Sequence, residues 1–189
     1  ETNFFGTVRL TQELIPGMRE RKNGTIINMS SIDGRLATPN NAFYAASKFA
    51  VEAFSESLAT QLLPFNIRVA VIEPGFIATP IFENTAKAEE AHDPNSPYFV
   101  YTRRFMKLLA AQLGIDTPTT ADDAARVIEH SISTETPQFR YLLGQDAELL
   151  APARQRLTDE EWIEFEAIDD DALFYEASAK WLGLDLYRS

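Results

Sequence analysis

The amino-acid sequence predicts an α/β fold built on a parallel sheet of three strands. Three short, mostly apolar runs are separated by longer segments with helical periodicity, and they span residues 25–30, 67–72 and 139–143. None of the runs alternates strictly between apolar and polar residues, which is typical of strands that are buried on both faces. Helices that alternate with such strands cover the two faces of a parallel sheet.

The intervening segments predict helices over residues 3–21, 43–63 and 120–131. The second ends before Pro64, and Asp122 and Asp123 near the start of the third favour a helix N-terminus. We interpret residues 1–144 as one unit and residues 145–189 as an acidic helical extension that packs on it. Aromatic residues of the extension are expected to pack its helices together: Trp162, Phe165, Phe174 and Trp181.

Composition and charge exclude several function classes. The 189-residue chain has a formal net charge of −11, which argues against binding to nucleic acid. Residues 145–189 carry 12 acidic and 4 basic side chains, so most of this charge lies on the extension. The chain has no cysteine, signal-peptide pattern or bilayer-length apolar run, so we expect a cytoplasmic protein without a membrane span and without a metal site.

Tyr44 and Lys48 lie four residues apart near the start of a predicted helix, so they share one face. Lowering the pKa of a phenol from about 10 to about 7 requires roughly 4 kcal/mol. An ammonium about 4 Å away supplies a similar amount at an effective dielectric constant of about 20. The pair can therefore act as a proton-transfer centre, although the same spacing also occurs by chance in solvated surface pairs.

Polar residues near two predicted strand ends strengthen this interpretation. Ser31 lies 13 residues before Tyr44 at the end of one strand, and Pro74-Gly75 closes the next. Open α/β sheets bind ligands at this carboxyl edge. Alternative roles remain: Ser31 as a loop cap, Asn3 as a helix N-cap and Thr79 as the cap of a following helix.

Four sequence elements together resemble the short-chain dehydrogenase/reductase family: Asn3 with Gly6, Asn28-Met29-Ser30-Ser31, Tyr44-Ala45-Ala46-Ser47-Lys48, and Pro74-Gly75 through Thr79. The resemblance runs to about residue 144. It implies the C-terminal part of a Rossmann-type doubly wound parallel sheet, with three strands present side by side, followed by C-terminal helices. The flanking residues 31–35 and 48–53 are most similar to members that act on retinol- or steroid-like alcohols.

The resemblance also implies a role for each site residue. The catalytic set would be Asn3, Ser31, Tyr44 and Lys48, in which Ser31 holds the substrate oxygen and Asn3 holds a water that leads to Lys48. NAD or NADP would contact Tyr44, Lys48, Pro74, Gly75, Ile77 and Thr79. Substrate would contact Ser31, Asp33, Phe76, Ile81 and Phe82.

The substrate loop implied by the resemblance covers about residues 76–113 and is rich in large apolar residues. We therefore expect a lipophilic alcohol or ketone as the substrate. In the family, the helices that correspond to residues 3–21 and 43–63 pair across a dimer axis, so a homodimer or homotetramer is expected.

One part of the family pattern is missing from the sequence. No Gly-x-x-x-Gly-x-Gly turn is present, so the family pattern implies about 100 further residues before Glu1. We expect the isolated chain to bind no dinucleotide tightly and to leave one edge of its first strand unpaired. The alternatives to an oxidoreductase are a non-catalytic remnant or partner-binding module and a sugar-nucleotide epimerase.

Overall fold

The computed structural model describes residues 1–82, 93–113 and 118–183. A π-helical turn at Thr2–Gly6 leads into the first helix. The strands and helices follow in the order α1 Thr7–Arg21, β1 Gly24–Met29, α2 Ala42–Leu62, β2 Ile67–Pro74, α3 Phe99–Leu113, α4 Ala121–Ser133, β3 Arg140–Leu143, α5 Gln145–Arg156, α6 Asp159–Glu166 and α7 Asp171–Leu182. Short 3₁₀ turns occupy Ile32–Gly34, Leu63–Phe65 and Pro80–Phe82.

The three strands form one parallel sheet in the order β1-β2-β3. Gly24 of β1 pairs with Ile67 of β2, and the register continues to Met29 opposite Ile72. The predicted α/β class and the side-by-side order of the strands are therefore confirmed. Because the strands are parallel, the residues that follow β1 and β2 emerge at the same edge of the sheet.

Both faces of the sheet are covered, which explains why the strand sequences do not alternate. On one face Ile26, Ile67 and Val69 pack with Leu58 and Leu62 of α2. On the other face a second cluster joins β2, β3 and α4 through Ala70, Ile72, Ala124, Tyr141 and Leu143. The central strand β2 is the most deeply buried, since Val71 and Ile72 are fully inaccessible to solvent.

The C-terminal helices pack against the loop that follows β1. Trp162, Phe165 and Phe174 form a buried cluster with Ile32 and Leu36 of that loop. The Trp162 indole donates a hydrogen bond to the Ala37 carbonyl at 3.0 Å. The expected packing role of Trp162 is confirmed, and the helices support the segment that begins at Ser31.

Element boundaries differ from the sequence prediction at several points. The first helix opens with a π-helical turn, and α2 ends at Leu62 because the 3₁₀ turn that contains Pro64 follows it. Strand β2 extends two residues beyond the predicted end at Ile72, since Glu73 and Pro74 pair with Leu142 and Leu143 of β3.

Two further features concern the outside of the fold. Among the described residues, β1 pairs with β2 alone, so its other edge carries no strand. Within the same residues, no helix combines the length and the apolar character needed to cross a membrane.

Candidate active site

Ser31 lies at the carboxyl edge of the sheet, two residues after β1 ends. It is the N-cap of the 3₁₀ turn Ile32–Gly34, where its hydroxyl accepts a hydrogen bond from the Asp33 N–H at 3.2 Å. The same hydroxyl donates to the carbonyl of Pro74, the last residue of β2, at 3.4 Å. The buried Ser31 side chain thus bridges the ends of two neighbouring strands.

Helix α2 brings Tyr44 and Lys48 to this edge. Tyr44 lies in the first turn of α2, close enough to Ser31 for hydrogen bonding by that side chain to act on the pKa of its phenol. The Lys48 ammonium lies 5.5 Å from the centroid of the Tyr44 ring and donates to the Met29 carbonyl at 3.0 Å. The structure therefore brings Ser31, Tyr44 and Lys48 together.

The electrostatics of this cluster differ from the sequence-based expectation. Burial raises the pKa of Tyr44, and the negative charge of Asp33 raises it further, while the Ser31 hydrogen bond opposes them. Burial also lowers the pKa of Lys48, against the charges of Asp33 and Glu52. The expectation that Lys48 brings the pKa of Tyr44 towards neutrality is wrong for these side chains by themselves, because loss of hydration dominates for the phenol.

Asn3 lies in the exposed π-helical turn and contacts α2 beside the cluster. Its amide donates to the Ser47 hydroxyl at 3.1 Å, and Ser47 donates to the Tyr44 carbonyl at 2.7 Å. Asn3 therefore fixes the turn to the residue that precedes Lys48. No hydrogen bond joins Asn3 to Lys48 within the described part of the chain.

Three backbone N–H groups of the turn after β2 are held by protein contacts. The N–H of Gly75 donates to the Leu143 carbonyl at 2.8 Å, and the N–H of Phe76 donates to the Asp146 carboxylate at 2.6 Å. The N–H of Ala78 donates to the Thr119 carbonyl at 2.9 Å. Position 75 requires glycine, because a Cβ there would overlap the Asp146 carboxylate.

Two other residues of this turn have backbone N–H donors available. No hydrogen bond to another described residue engages the N–H of Ile77 or Thr79. Ile77 packs its side chain against the core under β2, and Thr79 is exposed. Two backbone donors on a turn with a fixed conformation suit a carboxamide acceptor, so the turn fits the nicotinamide end of a dinucleotide.

The residues expected to contact substrate are spread around this turn and the Ser31 loop. Asn41 donates to the Asp33 carboxylate at 3.0 Å. Burial raises the pKa of Asp33 to about 6, and the charge of Asp146 adds to this effect. Phe76 is half-buried, and Ile81 is exposed in the 3₁₀ turn Pro80–Phe82. The side chain of Phe82 and residues 83–92 of the expected substrate loop lie outside the described residues.

Sequence reasoning missed an ion-pair network beneath the site. Glu73, which precedes Pro74 in β2, is almost fully buried and pairs with Arg35 at 3.1 Å and with Arg140 at 3.2 Å. Arg140 also pairs with Glu52 of α2 at 3.1 Å. The network joins the Ser31 loop to the end of β2. A charged residue directly before Pro74-Gly75 was the signal in the sequence.

A second missed residue is Asp146, at the start of α5. It is buried, and burial raises its pKa, while hydrogen bonds from backbone N–H groups of Phe76, Ala147 and Asp146 itself oppose this rise. Its position after the strand-ending Gly144, on the third strand of the same sheet edge, was the available signal.

An apolar cavity of about 100 Å³ lies between the Ser31 loop, α3 and the C-terminal helices. Its wall includes Leu36, Tyr101, Phe105 and Trp162, together with Glu166 of α6. Burial raises the pKa of Glu166 to about 7, against the charge of Arg104. Part of the apolar segment expected to cover a substrate thus faces a cavity, and its contact with substrate stays a prediction.

Comparison with known proteins places this arrangement in a family. The family model for short chain dehydrogenase matches residues 1–90. An uncharacterized oxidoreductase of Schizosaccharomyces pombe is 30% identical over 184 residues, which cover 97% of this chain and 70% of that protein. The chain belongs to the short-chain dehydrogenase family.

Other short-chain dehydrogenases show the same relationship. Retinol dehydrogenase 8 of Bos taurus is 38% identical over 145 residues, which are 74% of this chain and 46% of that protein. A short-chain dehydrogenase from Streptomyces avermitilis superposes with a TM-score of 0.70 at 32% identity, over 87% of this chain and 57% of that one. The chain spans about half the length of the retinol dehydrogenases that it matches.

Proposed function

We propose that the full-length protein is an NAD(P)-dependent oxidoreductase that interconverts a primary or secondary alcohol and a carbonyl compound, with Tyr44 as the general acid and base. The observation that carries this proposal is the convergence of Ser31, Tyr44 and Lys48 at the carboxyl edge of the sheet. Membership of the short-chain dehydrogenase family supports it.

The residues of this chain handle the proton. In the oxidation direction the Tyr44 phenolate accepts the proton of the substrate hydroxyl, and in the reduction direction the phenol returns it. Ser31 donates a hydrogen bond to the reacting oxygen and stabilises the charge that develops there. When bound, a nicotinamide would exchange the hydride, and its oxidised form would add a positive charge that favours the phenolate over the effect of burial.

The residues that would hold the nicotinamide end are available. Lys48 uses one of its three donors on the Met29 carbonyl, so the others can reach ribose hydroxyls. The N–H groups of Ile77 and Thr79, which make no hydrogen bond to another described residue, would anchor the carboxamide, on the turn that begins with Pro74 and Gly75. These contacts do not distinguish NAD from NADP.

A lipophilic substrate is the class we propose. Tyr101, Phe105 and Leu108 of α3 face an apolar cavity next to the loop that carries Ser31. Relatives named retinol dehydrogenase match this chain over about three quarters of its length. Phe76, Ile81 and Phe82 are proposed to contact the same substrate.

The decisive experiment compares the full-length protein with its Tyr44→Phe variant, using lipophilic alcohols such as retinol with NAD and with NADP. We expect the variant to fold normally and to lose about 10²- to 10⁴-fold in kcat, since a positioned acid and base contributes about that much. Tyr98→Phe, which changes an exposed tyrosine on another segment, is the matched control. Equal activity of Tyr44→Phe and the unaltered protein would rule out the proposed role.

The second candidate function is that of a partner-binding module without catalysis. Large apolar side chains on α1 and at the start of α2 are exposed, among them Leu10, Leu14 and Phe43. We propose that these faces join two copies of the full-length protein in a homodimer, which can assemble further into a homotetramer. A full-length protein that dimerises but turns over no alcohol or carbonyl compound would favour this second function.

A further inference from the structure

We propose that Asp33 determines substrate specificity by accepting a hydrogen bond from a hydroxyl or ammonium group carried on the carbon next to the reacting one. This inference rests on the proposed oxidoreductase function and narrows its substrate to vicinal diols, amino alcohols and the matching hydroxy or amino carbonyl compounds.

The position of Asp33 is fixed by the catalytic serine itself. The Asp33 N–H donates to the Ser31 hydroxyl at 3.2 Å, and Ser31 in turn acts on the pKa of the Tyr44 phenol. The Asp33 carboxylate is close enough for its charge to act on both Tyr44 and Lys48. A substrate group on the carbon next to the reacting one would therefore lie near the Asp33 carboxylate.

The carboxylate has acceptor capacity to spare. One of its oxygens accepts from Asn41 at 3.0 Å, and no salt bridge to Asp33 forms among the residues that the structure describes. Arg35 pairs with Glu73, and Lys48, which donates to the Met29 carbonyl, acts on Asp33 through its charge without a salt bridge to it among the described residues. A half-buried carboxylate can accept more hydrogen bonds than the one from this amide.

The negative charge of Asp33 has opposite effects on its two neighbours, since it favours the protonated form of Lys48 but disfavours the Tyr44 phenolate. Asparagine could hold Asn41 and cap the same turn, whereas the charge of Asp33 opposes formation of the Tyr44 phenolate. A donor on the substrate would offset this charge when the site is filled. The geometry therefore favours a substrate that brings its own donor to Asp33.

The test uses the full-length protein and three secondary alcohols of matched size, each with NAD and with NADP. 1-Phenylethanol lacks the donor, 1-phenyl-1,2-ethanediol adds a hydroxyl, and 2-amino-1-phenylethanol adds an ammonium. We expect kcat/KM for the diol or the amino alcohol to exceed that for 1-phenylethanol by about tenfold or more, as for a hydrogen bond to a charged group. The two donor-bearing compounds separate a hydroxyl from an ammonium as the preferred group.

The variant Asp33→Asn keeps the shape of the side chain and can still accept from Asn41. It should lose the preference, whereas Asp122→Asn, a change on the exposed side of α4, should keep both the preference and the turnover of 1-phenylethanol. If the unaltered protein turns over 1-phenylethanol as well as it does the diol and the amino alcohol, the inference about Asp33 is wrong but the proposed oxidoreductase function stands. Absence of turnover with all three alcohols and both cofactors would contradict the proposed function and the inference together.

The pH dependence of the preference for the diol or the amino alcohol is a readout that a merely structural role of Asp33 would not affect. Because the pKa of Asp33 is about 6, the preference should persist above that pH and fall away below it, and Asp33→Asn should show no such step. The charged and titratable groups that face Asp33 are Tyr44 and Lys48 on α2 and Asp146 on α5. A preference that stays constant from pH 5 to pH 8 would count against the inference.

Discussion

At the scale of single residues, burial affects the pKa values of Asp33, Tyr44 and Glu166 more than their hydrogen bonds and charged neighbours do. Burial is the largest cause of the raised pKa of Asp33, Tyr44 and Glu166, and it outweighs the opposing hydrogen bonds and charges. The same effect lowers the pKa of Lys48. Each of these groups is therefore easier to hold neutral than it would be in water.

The raised pKa of Glu166 should be measurable as a pH dependence of the free energy of unfolding. Its pKa is about 7 in the folded protein, above the value of 4.5 for an exposed glutamate. Between these two pH values the folded state therefore keeps a proton on Glu166 that the unfolded state has lost. The contribution of this proton to the free energy of unfolding is fully present below about pH 4.5 and is lost as the pH rises through 7. We expect Glu166→Gln to raise the free energy of unfolding at pH 8 by roughly 1–3 kcal/mol and to change it little at pH 4.

Thermal unfolding of the full-length protein between pH 4 and pH 8 checks this prediction. Glu164→Gln provides the control, since it removes an exposed carboxylate from the same helix. An unchanged pH dependence in Glu166→Gln would show that this carboxyl is well hydrated in the folded state.

At the scale of elements, a buried arginine helps to hold helix α3 to the C-terminal helices. Arg104 is nearly fully buried and pairs with Asp171 of α7 at 2.9 Å. It also donates to the carbonyls of Ile168 and Asp169 between α6 and α7, and its guanidinium lies 4.2 Å from the Phe174 ring centroid. All three nitrogens of the guanidinium are thus used within the protein.

Arg104 and its neighbour Arg103 form a matched pair for mutation. Both contact the carboxylate of Asp171, but Arg103 is largely exposed. We expect Arg104→Met to lower the free energy of unfolding by about 3 kcal/mol, since it leaves buried acceptors without a donor. Arg103→Met should cost no more than about 0.5 kcal/mol, as for an exposed ion pair.

Denaturant unfolding, combined with hydrogen exchange of α6 and α7, measures both effects. In Arg104→Met, faster hydrogen exchange in these two helices should accompany the lower free energy of unfolding. Similar losses in the two variants would mean that burial of the guanidinium adds nothing.

At the scale of the whole molecule, apolar surface remains exposed on the α1 side of the sheet. Leu10 and Leu14 project from α1 with exposures of 64% and 47%, and Phe43 at the start of α2 is 96% exposed. Exposed apolar groups at neighbouring sites are typical of surfaces that contact another protein. This distribution agrees with the proposed homodimer.

Replacement of Leu10 by glutamate tests this assembly. We expect Leu10→Glu to shift the full-length protein from dimer to monomer at micromolar concentration in light scattering coupled to size-exclusion chromatography. Leu173→Glu, at a comparably exposed leucine on α7, should leave the mass unchanged. A dimer that survives Leu10→Glu would place the contact on another face.

The sequence alone determined the order of the strands and helices and indicated the candidate site residues. The apolar runs and the four-residue spacing of Tyr44 and Lys48 are local patterns, so they can be recognised in the sequence. The position of Ser31 at a strand end also followed from the sequence, because parallel strands present their carboxyl ends at one edge. These features were sufficient to predict the α/β class and the resemblance to short-chain dehydrogenases.

Only the tertiary structure decided how these residues are supported and charged. Asp146 reaches Phe76 across 70 positions of the chain, and Arg35 reaches Glu73 across 38, so neither contact has a local signature. The direction of the Tyr44 pKa shift also depends on burial by segments that are remote in sequence. Hydration is lost only when the chain folds, and for this reason the sequence identified the residues proposed to transfer the proton while the structure fixed their electrostatics.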